Sequence, residues 1–263
     1  MPGKPWADSP VRLISETGIA HRQDIPADHS AVHCAQRMAL LHNIIFRAFN
    51  SSYNQCLGVH AGTEDARNFL LYNQVLYEQI KEHHDHEEDV LFPALLKFTG
   101  QQDIMDQNIE EHHELESGLQ LLKDYAYHTE PQAYDGEKLM SILDILAPPL
   151  EKHMHGEIST FLDLAIYDSV KLEKLWVETS NKAASAVNKF RSAVMMLGCG
   201  DNTFLLDGKM ISYPDYPVFI PYLAKYVLAR RLSGAWRFNP SDLFGNPRPL
   251  VVSNPTQRQS LPS

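Results

Sequence analysis

A chain of 263 residues with 44% hydrophobic and 21% charged side chains has an ordinary globular composition and length enough for one large domain or a domain with an extension. A net charge of -10 and the lack of a basic patch argue against a nucleic-acid partner. Three cysteines, Cys34, Cys56 and Cys199, none spaced as CxxC, argue against a disulfide framework, and no apolar run suits a leader or a membrane span. A cytoplasmic protein without a membrane partner is the expectation. The departure from ordinary composition is histidine, of which there are 13.

Residues 1–30, rich in Pro, Asp and Ser, read as an irregular arm. Helical periodicity begins near residue 31 and runs to about 55, with Met38, Leu41, Ile45, Phe46 and Phe49 on one stripe. A second helix is predicted from about Thr63, a suitable N-cap, to Phe98, stopping near Gly100. A third covers about 102–128. After the breaker "TEPQAYDG" a fourth covers about 137–166, with Pro148-Pro149 expected to kink it or to start its main part. Short connections between four amphipathic helices predict an all-α, up-down four-helix bundle over 31–166. Residues 167–250 read as an extension packed on it, with a fifth helical stretch at about 169–196 and a short helix near 217–232. The tail 251–263 is expected to be disordered.

The chemistry lies in "KEHHDHEEDVLFPAL", Lys81 to Leu95. His84 and Glu88 are four residues apart, on one helix face with Tyr77, Ile80, Leu91, Phe92 and Leu95. The fourth helix repeats the pattern in "EKHMHGEISTF", where His153 and Glu157 share a face with Leu146, Leu150, Phe161 and Leu164. His42 lies between Met38 and Ile45 on the first helix. On the third, His112 is in line with Met105, Ile109, Leu115, Leu119 and Leu122, and His113 falls a step off that line. Each helix thus offers one inward imidazole, and two also offer an inward carboxylate. Buried without partners, such groups would each cost several kcal/mol, roughly 2–7 for a neutral group. Metal removes that cost, and this donor set suits Fe, Mn or Zn, with the two carboxylates able to bridge two ions. His83, His86, Glu87, Asp89 and His155 read as solvated-face residues, with roles behind the ligands or along a channel left for His83, His86, His113 and His155.

"MALLHN", "HHDHEEDVLFPAL", "EEHHELESGL" and "LEKHMHGEISTFL" together resemble the successive helices of hemerythrin-like, HHE cation-binding proteins over about residues 31–166. "GAWRFNPSDLFGNPRPL" is similar to the tail of a fungal branch of that family. The resemblance implies a dinuclear centre, iron as the first expectation, with His42, His84, Glu88, His112, His153 and Glu157 as ligands. It also marks a departure. Oxygen-carrying hemerythrins have a further histidine one turn earlier on the third helix, where this chain has Asn108. A metal-dependent enzyme acting on a small organic molecule is therefore expected, an O2-using di-iron oxidoreductase before a Zn- or Fe-dependent lyase or isomerase. A protein that binds or senses O2 or iron is the remaining reading. A substrate pocket is expected under the aromatic residues of 197–250, including Phe204, Tyr213, Tyr216, Phe219, Tyr222, Trp236 and Phe238.

Overall fold

The computed structural model describes residues 6–214 and 216–252. The segment 253–263 of the expected disordered tail lies outside the described residues. Helix α1 spans Ser30–Gln55, α2 Glu64–His86, α3 Phe92–Thr99, α4 Asp106–His128 and α5 Gly136–Asp163. A π turn over Glu87–Leu91 joins α2 to α3 without a break, so the two act as one long element. Helix α1 packs on α5 and α2, and α4 packs on the same two, which closes an up-down bundle of hemerythrin type. Among the described residues no strand forms; isolated bridges pair Leu206 with Lys209 and Ser241 with Pro247.

Local signals set the helix ends. Thr63 caps α2 by accepting from the Ala66 amide, and Asp135 caps α5 by accepting from Glu137 and Lys138. Gly100 ends α3 at φ 73°, a conformation that costs a side-chain-bearing residue energy. Helix α5 continues through Pro148 and Pro149, which the sequence expected to kink or start it. Pro148 is exposed, and so are Asp144 and Ile145, whose carbonyls the prolines leave without amide donors; water can serve them there. Where α4 crosses α5, Gly118 lets the backbones approach: a Cβ there would lie 3.1 Å from Leu146 Cδ1.

The stretch expected as one fifth helix is two: α6, Ser169–Ala186, and α7, Ser192–Gly198. Asn188 breaks it, its side chain taking the Phe190 amide into a local turn. Beyond α8, Ile220–Tyr226, the chain folds back onto the bundle through two 3-10 turns. Phe238 is buried edge-on against Phe69, with ring centroids 4.7 Å apart. Its carbonyl accepts from Ser51 and Gln55 of α1.

The N-terminal segment is irregular apart from short 3-10 turns, yet it is tied to α1. Asn50 accepts from the Val11 amide and donates to the Ala7 and Val11 carbonyls; Asn43 brackets Ile14 in the same way. Helix α1 is thus wrapped on its outer side, which is why polar residues recur along it and are buried. Arg47 is one of them. It lies 3.3 Å from both Asp8 of the N-terminal segment and Asp201 of the extension. No helix among the described residues is long and apolar enough to cross a membrane.

Candidate metal centre

His83 and His84 are neighbours on α2, so their side chains leave the axis about 100° apart and point to adjacent places in the core. Glu87 projects between them. The π turn decides the next step: the Phe92 amide bonds to the Glu87 carbonyl, five residues back, and the turn takes up one extra residue. A face defined by Leu91, Phe92 and Leu95 and carried back along an unbroken α-helix is therefore one residue late. This corrects the expectation that Glu88 faces the core. Glu87 is 1% exposed at the centre, whereas the Glu88 side chain is 40% exposed at its rim. Pro93 cannot donate to the Asp89 carbonyl, so the helical ladder is loosest here. Pro148 and Pro149 pass without such a turn, so proline permits the π turn rather than dictating it.

Two groups of donors result. One is His84, Glu87, His112 and His153; the other is His42, His83, Glu87 and Glu157. Within each, the donor atoms lie within 4.8 Å of one another. Glu87 belongs to both. Its Oε2 is 3.3 Å from His112 Nε2, and its Oε1 is 3.2 Å from His83 Nε2. His42 Nε2 lies 3.3 Å from Glu157 Oε2. The facing imidazole nitrogens, His112 with His153 and His42 with His83, are 3.1 and 3.0 Å apart. Nitrogens this close together could both reach one ion at about 2.1 Å.

The groups behind the donors fix how they face. His112 Nδ1 donates to Glu88 Oε1 at 2.7 Å, and His42 Nδ1 donates to the Met154 carbonyl at 2.8 Å, so both turn a bare Nε2 inward. Glu88 thus orients a donor. His153 Nδ1 faces Glu111 Oε2 at 3.5 Å, and Gln107 and Lys152 tie Glu111 from outside.

The donor set fits a pair of cations. Both oxygens of Glu87, both of Glu157, and His84 Nε2 are buried without hydrogen-bond partners. Uncompensated, each buried ion costs several kcal/mol, and divalent cations supply the missing charge. Burial first, then the charge of Glu157 and Glu88, holds the Glu87 carboxyl well above the usual carboxylate range. Burial first, then neighbouring imidazoles, holds His83, His84 and His153 well below the usual histidine range. Burial thus favours the neutral, ligating form of these three imidazoles. Nitrogen and carboxylate donors without thiolate suit Fe, Mn or Zn.

Of the six residues expected from sequence, the structure gathers His42, His84, His112, His153 and Glu157. It adds Glu87 and His83, both of which the sequence reading had put on a solvated face. A signal for them was present: the run contains two overlapping HxxxE pairs, His83/Glu87 and His84/Glu88. His113 is exposed, as its helical phase predicts. His155 lies outside the centre, stacked on Phe46 and bonded to the Arg12 carbonyl. Asn108 is buried with its amide toward Met105 Sδ, 3.3 Å away.

A cavity of about 710 Å³ reaches the second donor group, with His83 and Glu87 in its lining. Its other walls include Met38 and Ile45 of α1, Trp176 of α6 and Met196 of α7. His86 also lines it, half-buried, which places this residue along the approach to the centre. Among the described residues, the expected aromatic wall from 197–250 contributes only Tyr213 to this cavity. Trp236 and Phe238 are buried in the core instead, and Phe219 and Tyr222 are exposed. The pocket lies on the side of the bundle covered by α6 and α7.

Residues 35–165 match the hemerythrin HHE cation-binding domain family, a segment that contains every donor of both groups. The chain is also 35% identical over 259 residues to the dimeric xanthone biosynthesis cluster protein R11 of Cryptosporiopsis sp. (strain 8999), covering 98% of this chain and 97% of that protein. That similarity extends beyond the bundle through α6, α7 and the C-terminal segment. No solved structure matches the chain.

Proposed function

Because this chain belongs to the hemerythrin HHE cation-binding domain family, we propose that it is a dinuclear non-haem metalloenzyme acting on a small organic molecule. The favoured reaction class is oxidation at a pair of iron ions, with dioxygen accepting the electrons that the substrate gives up. The observation that carries this reading is the cavity of about 710 Å³ in contact with His83 and Glu87. Its size lies in the range of small-molecule sites, about 300–1,000 Å³. It meets the group in which two imidazoles, His42 and His83, and one terminal carboxylate, Glu157, accompany the shared Glu87. Two histidines with carboxylate donors are of the kind that would hold oxygen-using non-haem iron. When bound, the metal pair would supply redox or Lewis-acid chemistry at that end of the cavity.

The chain's own residues divide the remaining work. Glu87 offers one oxygen to each group, and Glu88, Glu111 and the Met154 carbonyl face His112, His153 and His42 from behind. Buried side chains surround the donors, and α6 and α7 contribute Trp176 and Met196 to the walls of the cavity. The name of the relative places that protein in a dimeric xanthone biosynthesis cluster, and the similarity covers 98% of this chain. We therefore assign this chain to fungal specialised metabolism, acting on an aromatic intermediate. The donor set accepts Zn as readily, which keeps a Lewis-acid lyase or isomerase as the second reading.

The test is the metal content of protein purified without added metal, followed by incubation with the intermediate that accumulates in a strain lacking the gene. Two iron ions per chain and conversion accompanied by O2 uptake are expected. Equal conversion by the zinc form without oxygen would select the second reading. Reversible O2 binding with no conversion would overturn the enzyme assignment.

A further inference from the structure

Gln79 lies on α2 four residues before His83 and forms part of the cavity wall. It is 4% exposed, and neither its amide nitrogen nor its amide oxygen has a hydrogen-bond partner. A buried amide in that condition costs stability, so such groups are normally paired. In the same wall the Ser192 hydroxyl and the Glu87 carboxylate are also buried without partners, whereas Thr179, Arg37 and His33 are committed. The Thr179 hydroxyl bonds to the Leu175 and Trp176 carbonyls of its own helix. Arg37 donates to His33 and to the Ser212 carbonyl, and His33 in turn faces Glu173 at 2.9 Å. The Gln79 amide offers a donor and an acceptor side by side, in a cavity whose lining also includes the apolar Met38, Ile45, Trp176 and Met196. That combination of apolar walls and a buried, uncommitted amide matches an aromatic molecule carrying a hydroxyl or carbonyl group.

We infer that Gln79 selects and orients the substrate of this site: it holds a hydroxyl or carbonyl on an aromatic ring and presents the far edge of that ring to His83 and Glu87. The inference rests on the reading of the cavity as the substrate pocket. Four helical residues separate Gln79 from His83 by roughly 6 Å along the axis, about the span of one or two fused rings. An anchored hydroxyl would therefore leave the reacting carbon at the donor group rather than beyond it.

The experiment is equilibrium dialysis of the metal-loaded, full-length protein against 2-naphthol and 2-methylnaphthalene, which share a shape and differ in the hydroxyl. Wild type is expected to bind 2-naphthol about tenfold more tightly, the worth of one good hydrogen bond. Gln79→Leu should lose that preference while keeping its metal and its affinity for 2-methylnaphthalene. Gln79→Met serves as a second apolar variant in case leucine is not accommodated. Equal binding of the two probes by wild type, or a preference that survives in a folded apolar variant, overturns the role of Gln79 alone. Failure of wild type to bind either probe removes the pocket reading, and this inference falls with it.

Discussion

Glu87→Ala is expected to strip the centre of both ions, whereas Glu88→Ala should keep two ions and hold one of them more weakly. The asymmetry follows from the π turn. Glu87 is the carboxylate shared by the two donor groups, and removing it takes one oxygen from each. Each group is then left with three protein donors and less negative charge to offset two dications at close range. Glu88 touches the centre only through the Nδ1 proton of His112. Loss of such a supporting carboxylate typically costs 10–100-fold in metal affinity, here for the ion that His84, His112 and His153 would hold. Metal content after dialysis against a weak chelator reads the difference, with circular dichroism confirming that both variants fold. The same assay separates His112→Ala, which should lose an ion, from His113→Ala, which should lose none. Unchanged metal in Glu87→Ala, or full loss in Glu88→Ala, would reverse the assignment.

Arg47→Met is expected to lower the stability of the folded protein by about 3–5 kcal/mol, the usual cost of removing one partner of a buried ion pair. The Arg47 side chain is 4% exposed and that of Asp201 only 2% exposed, so methionine leaves a buried carboxylate with no cation beside it. The guanidinium also covers the Phe204 ring, 4.9 Å from its centroid. Its contacts with Asp8 and Asp201 hold the N-terminal segment and the extension on α1 at one point. Arg47→Lys should recover only part of the loss, because one ammonium cannot match a fork that spans two carboxylates. Urea unfolding of wild type and variants at equal metal occupancy measures the effect. A loss below about 1 kcal/mol, the range of exposed pairs, would show that the carboxylates find other partners.

Much of the bundle was legible because its helices are long and strongly periodic. His42, His112, His153 and Glu157 could be placed inward from one unbroken phase each, and the structure buries all of them. The second helix was harder because it carries two phases. Upstream, Leu76 and Ile80 define a face centred on Glu87 and flanked by His83 and His84. Downstream, Leu91, Phe92 and Leu95 define a face one residue later, and the π turn brings the two onto the same core. Apolar periodicity does not mark where one extra residue is absorbed, so the downstream phase led to Glu88. The extension posed a different problem. Its aromatics were visible, but composition does not say whether an aromatic ring fills a core or walls a pocket. Trp236 and Phe238 became core, so removing the segment after residue 197 would uncover Phe69 rather than merely open the cavity.

The most direct test of the account is a crystal structure of metal-loaded protein with anomalous difference maps collected at the metal edge. Two peaks are predicted, one on each side of Glu87. The first should be held by His84, His112 and His153, and the second by His42, His83 and Glu157 at the end of the cavity. A single peak, or two peaks bridged by Glu88 with Glu87 turned away, would contradict it.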